Sequence, residues 1–297
     1  MSDNSFRGLG IALITPFNDQ GEVDFPRLEI LTDRLIKSGV DYIVVLGTTA
    51  ETPALSEKEK IYIRKTVAGV VNGQLPLVLG FGSNCTAALC ESLRKWNGDG
   101  YDAILSVTPF YNKPTQRGLY CHFKAVAEAS PLPVILYNVP GRTGVNMLPE
   151  TTLRLANEVK GIIGIKEASG NLTQVEEIVA SAPKGFSVIS GDDGLTTQMI
   201  ELGAVGVISV IGNAAPNVWS HLTHLALDSK VTEALELQNG LEPLVKMLFK
   251  QGNPPGIKGL MSLMGLCENN MRLPMVPIDN DLMDSMRNFV VTYPNLC

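Results

Sequence analysis

The sequence predicts an α/β fold: a (β/α)8 TIM barrel with a small all-helical extension at its C-terminal end. Three observations carry this. Short apolar runs rich in Val and Ile recur through the first two thirds of the chain without alternating apolar and polar residues, as strands buried on both faces do in a parallel sheet. Each run is followed by a segment with helical apolar spacing, at roughly 25–30 residues per unit, and about eight such units are the count of a barrel. The first strand–helix turn, Thr15, Pro16, Phe17 and Asn18, carries no glycine fingerprint of the kind that opens a doubly wound nucleotide-binding sheet. The 297 residues fit one large barrel or two average domains of about 150 residues. A chain of this size buries about three quarters of its unfolded surface. The barrel is expected over 1–230 and the helical extension over 231–297.

Taken in order, a strand at 9–17 leads to a helix at Phe25–Lys37, where Leu28, Leu31 and Leu35 share a face and Gly39 is placed to cap the end. After the strand at 42–46, Ser56 and Glu59 have the spacing of a capping box, opening a helix with Ile61, Ile63 and Val67. The strand at 75–79 precedes a helix over 87–96 that Thr86 can cap. The strand at 103–108 precedes a helix over 119–129. After the strand at 134–137, Pro149 suits the first turn of a helix. The strand at 162–165 is followed by a stripe of Leu172, Val175, Ile178 and Val179. The strand at 186–189 is followed by Leu195, Met199 and Leu202, and the strand at 204–210 by a helix over 218–227. Beyond residue 231 only helices are expected, at Val231–Lys250, 257–266 and 279–291. The Gln-Gly-Asn-Pro-Pro-Gly cluster at 251–256 forms a turn between the first two.

Composition narrows the function classes. Hydrophobic residues make up 45% and charged residues 18%, which excludes a disordered chain. With 24 Lys and Arg against 30 Asp and Glu, the net charge is −6. That lacks the basic excess of a nucleic-acid-binding surface and suits a metabolite-handling protein. The five cysteines, Cys85, Cys90, Cys121, Cys267 and Cys297, are odd in number, irregular in spacing and free of any CxxC. They predict neither a disulfide framework nor a zinc site. The N-terminal residues lack a signal-peptide pattern, and no apolar run reaches the ~18 residues of a membrane span. A cytoplasmic location is expected.

Barrel active sites lie at the C-terminal ends of the strands, so the polar residues there are the candidates. Lys166 stands out because it ends the apolar run Gly161 to Ile165. Burial disfavours the charged form of an amine, and a neutral amine can attack a ketone to form a Schiff base. A lysine that reaches out to solvent, or pairs with Glu167, is the other reading. Tyr137 ends the preceding strand and could move protons next to Lys166, or be a core tyrosine. Thr48 could relay a proton while neighbouring N–H groups hold a carboxylate, or simply belong to a Gly-Thr-Thr turn. Arg142, in the Pro-Gly-Arg-Thr-Gly turn at 140–144, suits bidentate carboxylate recognition, or is a surface charge. The Gly-Phe-Gly stretch at 80–82 lacks the third glycine of a dinucleotide loop. His221 and His224 have no matching ligands nearby and read as structural. Asp192 and Asp193 could hold a cation or orient a neighbour. No Walker loop, HExxH or GxSxG is present.

Three motifs, Gly-Thr-Thr-Ala-Glu at 47–51, Tyr-Asn-Val-Pro-Gly-Arg-Thr-Gly at 137–144 and Gly-Ile-Lys-Glu-Ala-Ser at 164–169, resemble those of the pyruvate-dependent class I aldolase superfamily, also called the N-acetylneuraminate lyase family. The resemblance spans essentially the whole chain. The arginine turn and Thr48 place it nearest the branch that condenses pyruvate with L-aspartate 4-semialdehyde in lysine and diaminopimelate synthesis. The sialic acid lyases usually carry Ser at the position of Thr48 and lack the arginine turn. The resemblance implies that Lys166 forms the imine with pyruvate and that Tyr137 donates and accepts protons. Thr48 and Tyr111 would complete a relay, with Tyr111 reaching in from a neighbouring subunit. Thr49, the Ile208 carbonyl and Gly191 would line the pyruvate pocket, and Arg142 would receive the semialdehyde carboxylate. It also implies a homo-oligomer, tetramer or dimer, and no metal or organic cofactor. A sibling lyase acting on sialic or keto-deoxy sugar acids, and a barrel that binds pyruvate without turnover, are the alternatives.

Two departures from the family pattern stand out. Ala50 replaces the usual glycine. Where lysine-inhibited members carry histidines, a glutamate and a tyrosine, this chain has Glu57, Lys60, Ala88 and Phe110, and retains Asn84. Ala88 offers a lysine ammonium no carboxylate. The expected result of a lysine titration is therefore weak or absent inhibition, and strong inhibition at low lysine would overturn it.

Overall fold

In the computed structural model, which describes residues 6–293 and 296, eight parallel strands close into a barrel in the order of the chain. Cys297 and residues 1–5, the start of the N-terminal stretch, lie outside the described residues. The order is β1 (Gly8–Ala12), α1 (Phe25–Lys37), β2 (Tyr42–Val45), α2 (Glu57–Val71), β3 (Leu77–Gly80), α3 (Thr86–Lys95), β4 (Ala103–Val107), α4 (Gln116–Ala129), β5 (Val134–Asn138), α5 (Pro140–Thr143), α6 (Pro149–Glu158), β6 (Ile162–Glu167), α7 (Leu172–Ser181), β7 (Ser187–Ser190), α8 (Thr196–Glu201), β8 (Gly206–Ser209) and α9 (Pro216–Leu227). Three further helices complete the chain: α10 (Val231–Lys250), α11 (Pro255–Leu263) and α12 (Asn280–Thr292). Among the described residues, no helix is long and apolar enough to cross a membrane.

Several local expectations hold for stated reasons. Ser56 and Glu59 form the reciprocal capping box of α2, and Pro149 opens α6. Successive strand residues face the two sides of the sheet. Tyr42, Val44, Val78, Leu105, Ile135, Tyr137, Ile189 and Ile208 fill the barrel interior. Leu28, Val67 and Trp219 join the layer of helices packed outside it. Gly10 is required by close approach, because a Cβ there would lie 2.2 Å from the Tyr42 ring.

Other expectations need correction. The first strand stops at Ala12, although the apolar run continues to Phe17. Leu13 to Phe17 are loop residues, and they are apolar because α10, α11 and the chain after them cover them: Phe17 lies in one core cluster with Leu244, Ile257 and Leu260. Thr86 does not cap α3. It is the first helical residue, after Cys85, and its hydroxyl bonds His122 Nδ1 at 2.9 Å. The fourth helix begins at Gln116, capped by Thr115. The turn at 140–144 contains a one-turn helix, α5, closed by Gly144 at φ +72°. Lys166 and Glu167 fall inside β6 rather than beyond it. The turn cluster at 251–256 is shorter than expected, since Pro255 and Gly256 already belong to α11.

Candidate active site

The barrel mouth is built from the segments that leave β2, β5, β6, β7 and β8. Register aligns Val107, Tyr137, Lys166 and Ile189 across β4 to β7. Residues in register on parallel strands point to the same side, so Lys166 projects into the barrel with Tyr137 and Ile189. Lys166 is 5% exposed, and its amine sits 4.6 Å from the centroid of the Tyr137 ring. Among the described residues it pairs with no carboxylate. Gly191 packs against it: a Cβ there would lie 3.0 Å from Lys166 Cε and 2.7 Å from Ala168 Cβ. Ile208, on β8, belongs to the same interior cluster as Tyr137 and Ile189.

The pairing of Lys166 with Glu167 is not made. The two are consecutive on one strand and face opposite sides. Glu167, buried in the helix layer, accepts from Ser169 N at 2.7 Å, Gln174 Nε2 at 3.0 Å and Asn138 Nδ2 at 3.1 Å. These donors solvate a carboxylate without a cation and leave the amine of Lys166 unclaimed.

Thr48 and Thr49 sit on a 3₁₀ turn, Thr48–Ala50, flanked by two non-glycine residues in the left-handed region, Leu46 at φ +56° and Glu51 at φ +54°. Such conformations persist only where surrounding contacts hold them. Here the holding group is a buried ion pair. Lys258, from α11, reaches Glu51 Oε1 at 2.5 Å with both side chains at 1% exposure or less. Arg272 N donates to Glu51 Oε2 at 3.1 Å. Burial pushes the Lys258 ammonium down from its ordinary pKa, against the attraction of Glu51. Thr48 is half-buried and Thr49 is buried.

Asn253, on the turn between α10 and α11, joins two of the predicted residues. Its side-chain nitrogen donates to Thr49 Oγ1 at 3.0 Å, and its carbonyl oxygen accepts from Arg142 Nη2 at 3.3 Å. Arg142 itself lies exposed on α5.

Asp193 is turned toward the chain that leaves β8. Its Oδ2 accepts from Val210 N and Ile211 N, both at 2.9 Å, and so anchors the chain leaving β8. Complete burial pushes its carboxyl up to about 6, against those hydrogen bonds. Asp192 Oδ1 accepts from Gly194 N at 2.9 Å. Both side chains orient backbone, and among the described residues no cluster of potential metal ligands occurs.

Tyr111 is not drawn into this arrangement. It is 85% exposed, with φ +75°, next to Phe110 at 39%. Glu57 and Lys60 pair with each other at 2.7 Å, and Asn84 Nδ2 donates to the Phe110 carbonyl at 3.4 Å. Sequence reasoning missed Asn253, Glu51, Lys258 and the anchoring role of Asp193. The Asn-Pro-Pro-Gly cluster is visible in the sequence, but nothing in its spacing tells that it meets Thr49, some two hundred residues away.

Comparison with known proteins places the whole chain in one family. The chain matches the Dihydrodipicolinate synthetase family over residues 5–292. It is 51% identical over 287 residues to the 4-hydroxy-tetrahydrodipicolinate synthase of Phocaeicola vulgatus, covering 97% of each chain. The solved dihydrodipicolinate synthase of Thermotoga maritima superposes with a TM-score of 0.95 at 38% identity, covering 99% of this chain and 100% of that one. That of Acinetobacter baumannii, solved in complex with pyruvate, superposes with a TM-score of 0.93 at 39% identity, covering 96% and 98%.

Proposed function

Since this chain belongs to the Dihydrodipicolinate synthetase family, we infer that it is an enzyme condensing pyruvate with L-aspartate 4-semialdehyde. The reaction passes through a lysine Schiff base to 4-hydroxy-tetrahydrodipicolinate, in lysine and diaminopimelate synthesis. The observation that best supports Lys166 as the reacting lysine is its buried amine over the Tyr137 ring, free of any carboxylate partner among the described residues.

The Lys166 amine adds to the pyruvate carbonyl carbon, and the resulting carbinolamine loses water to give a protonated imine. That imine is the electron sink the reaction needs, so no metal or organic cofactor is invoked. A proton leaves the methyl carbon to form an enamine, whose carbon attacks the aldehyde. Tyr137 takes and returns protons beside the amine, with Thr48 as its relay partner. The amino group of the added semialdehyde then attacks the imine carbon, closing the ring and releasing Lys166. Thr49, Gly191 and the Ile208 carbonyl line the pyruvate pocket, and Arg142 receives the semialdehyde carboxylate. Tyr111 completes the relay in a second copy of the chain, so the enzyme is a homo-oligomer, dimer or tetramer. Support for this comes from its exposure, which leaves the side chain open to a second copy.

Arg142 separates this activity from that of sibling lyases. An assay coupling pyruvate and aspartate semialdehyde to NADPH consumption is expected to show turnover, beside no cleavage of sialic acid. Arg142→Ala is expected to raise the KM for the semialdehyde by about 10- to 100-fold, the worth of a charge-assisted hydrogen-bond pair. Imine trapping on Lys166 with pyruvate and borohydride should be unaltered. An unchanged semialdehyde KM would remove Arg142 from the site, and sialic acid cleavage without synthase turnover would favour the sibling reading.

A further inference from the structure

We propose that Asn253 is a positioning residue which fixes the Thr49 hydroxyl as a hydrogen-bond donor toward the pyruvate carboxylate and braces the Arg142 guanidinium. The proposal rests on the functional reading above.

A threonine hydroxyl has one proton to give and lone pairs to accept with. Asn253 offers Thr49 Oγ1 its amide N–H, which occupies a lone pair and leaves the Thr49 proton free for another acceptor. A carboxylate is an acceptor only, so this polarity is the one that binds it. The reverse arrangement, with Thr49 donating to Asn253 Oδ1, would spend that proton inside the protein. Asn253 is 4% exposed, yet its Oδ1 has no partner among the described residues. Buried acceptors are seldom left open; the amide is held here for its nitrogen end.

The same residue reaches Arg142 through its backbone carbonyl. Thr49 follows β2 and Arg142 follows β5, and β3 and β4 stand between those strands in the barrel. No neighbouring-strand contact couples the two turns. The C-terminal extension does so by passing Asn253 between them, while Lys258 on the next helix holds the Thr49 turn through Glu51. The two groups assigned to the two substrate carboxylates thus share one support.

The test separates the side chain from the backbone. Asn253→Ala removes the amide but keeps the carbonyl on Arg142. It is expected to raise the pyruvate concentration for half-maximal borohydride trapping on Lys166 about tenfold. The semialdehyde KM and kcat at saturation should stay within about threefold. Asn253→Asp, whose carboxylate would accept the Thr49 proton and repel a second carboxylate, is expected to raise it about a hundredfold. In a Thr49→Val background, Asn253→Ala should add nothing. If the aspartate variant does not fold, Asn253→Ala and Asn253→Ser carry the test. Folded variants trapping pyruvate at the parent's concentration, or an undiminished Asn253→Ala effect in the Thr49→Val background, would overturn the proposal. Absence of trapping in the parent itself would remove the functional reading, and this inference with it.

Discussion

Lys166→Arg is expected to lower turnover at least ~10³-fold, roughly 4 kcal/mol of barrier, while the barrel stays folded. A guanidinium stays protonated throughout the working range and has no lone pair to give to a ketone. The loss follows from position as well as residue type. Lys166 is the lysine that the register of β5, β6 and β7 brings beside Tyr137, and its side chain needs a glycine at 191, since a Cβ there would lie 3.0 Å from Lys166 Cε. Because arginine is larger and Gly191 packs closely, Lys166→Ala serves as the second variant and should lose activity to the same extent. The parent, treated with pyruvate and borohydride, should gain one adduct in the peptide carrying Lys166, and both variants should gain none. Retained turnover, or an adduct on another lysine, would end the assignment.

Lys258→Met is expected to destabilise the protein by about 3–5 kcal/mol, the usual cost of stranding one member of a buried ion pair. Glu51 is 4% exposed and, among the described residues, keeps only the Arg272 backbone donor once the ammonium is gone. Lys258 also donates to the Asn270 carbonyl at 2.9 Å and lies 4.1 Å from the Phe17 ring centroid, so its loss loosens the cover over the loop after β1. The melting temperature should fall on the order of 10 °C. The double variant Glu51→Gln with Lys258→Met removes both charges and should recover more than half of the loss, since neutral isosteres in place of a buried pair are often tolerated. Urea unfolding of the three proteins decides it. A single variant within about 1 kcal/mol of the parent, or a double variant as unstable as the single one, would show that the pair does not hold the Thr48–Thr49 turn.

The strands of the barrel are legible because burial on both faces writes an uninterrupted apolar run into the sequence, and a polar residue ending such a run is conspicuous. Lys166, Tyr137 and Thr48 stand out in that way. The run from Leu9 to Phe17 misleads for the same reason: it records burial, and burial under the C-terminal helices reads the same as burial in a sheet. The three helices beyond residue 231 are legible as helices, but their purpose is not. Asn253 meets Thr49 and Lys258 meets Glu51 across more than two hundred residues, and no local periodicity encodes such a meeting. Glu167 shows the same limit at short range, since beside a lysine in sequence it looks like a partner until the pleat of the strand sends it to the other face.

By itself, then, the order of residues determined the alternation of strand and helix and which polar groups end the strands, because hydrophobic burial and helix capping act locally along the chain. Only the closed barrel decided which of those groups meet, that the amine of Lys166 has no carboxylate partner among the described residues, and which distant segment bonds Thr49 and Arg142. Those outcomes depend on register and on contacts between surfaces that exist only once the chain has folded.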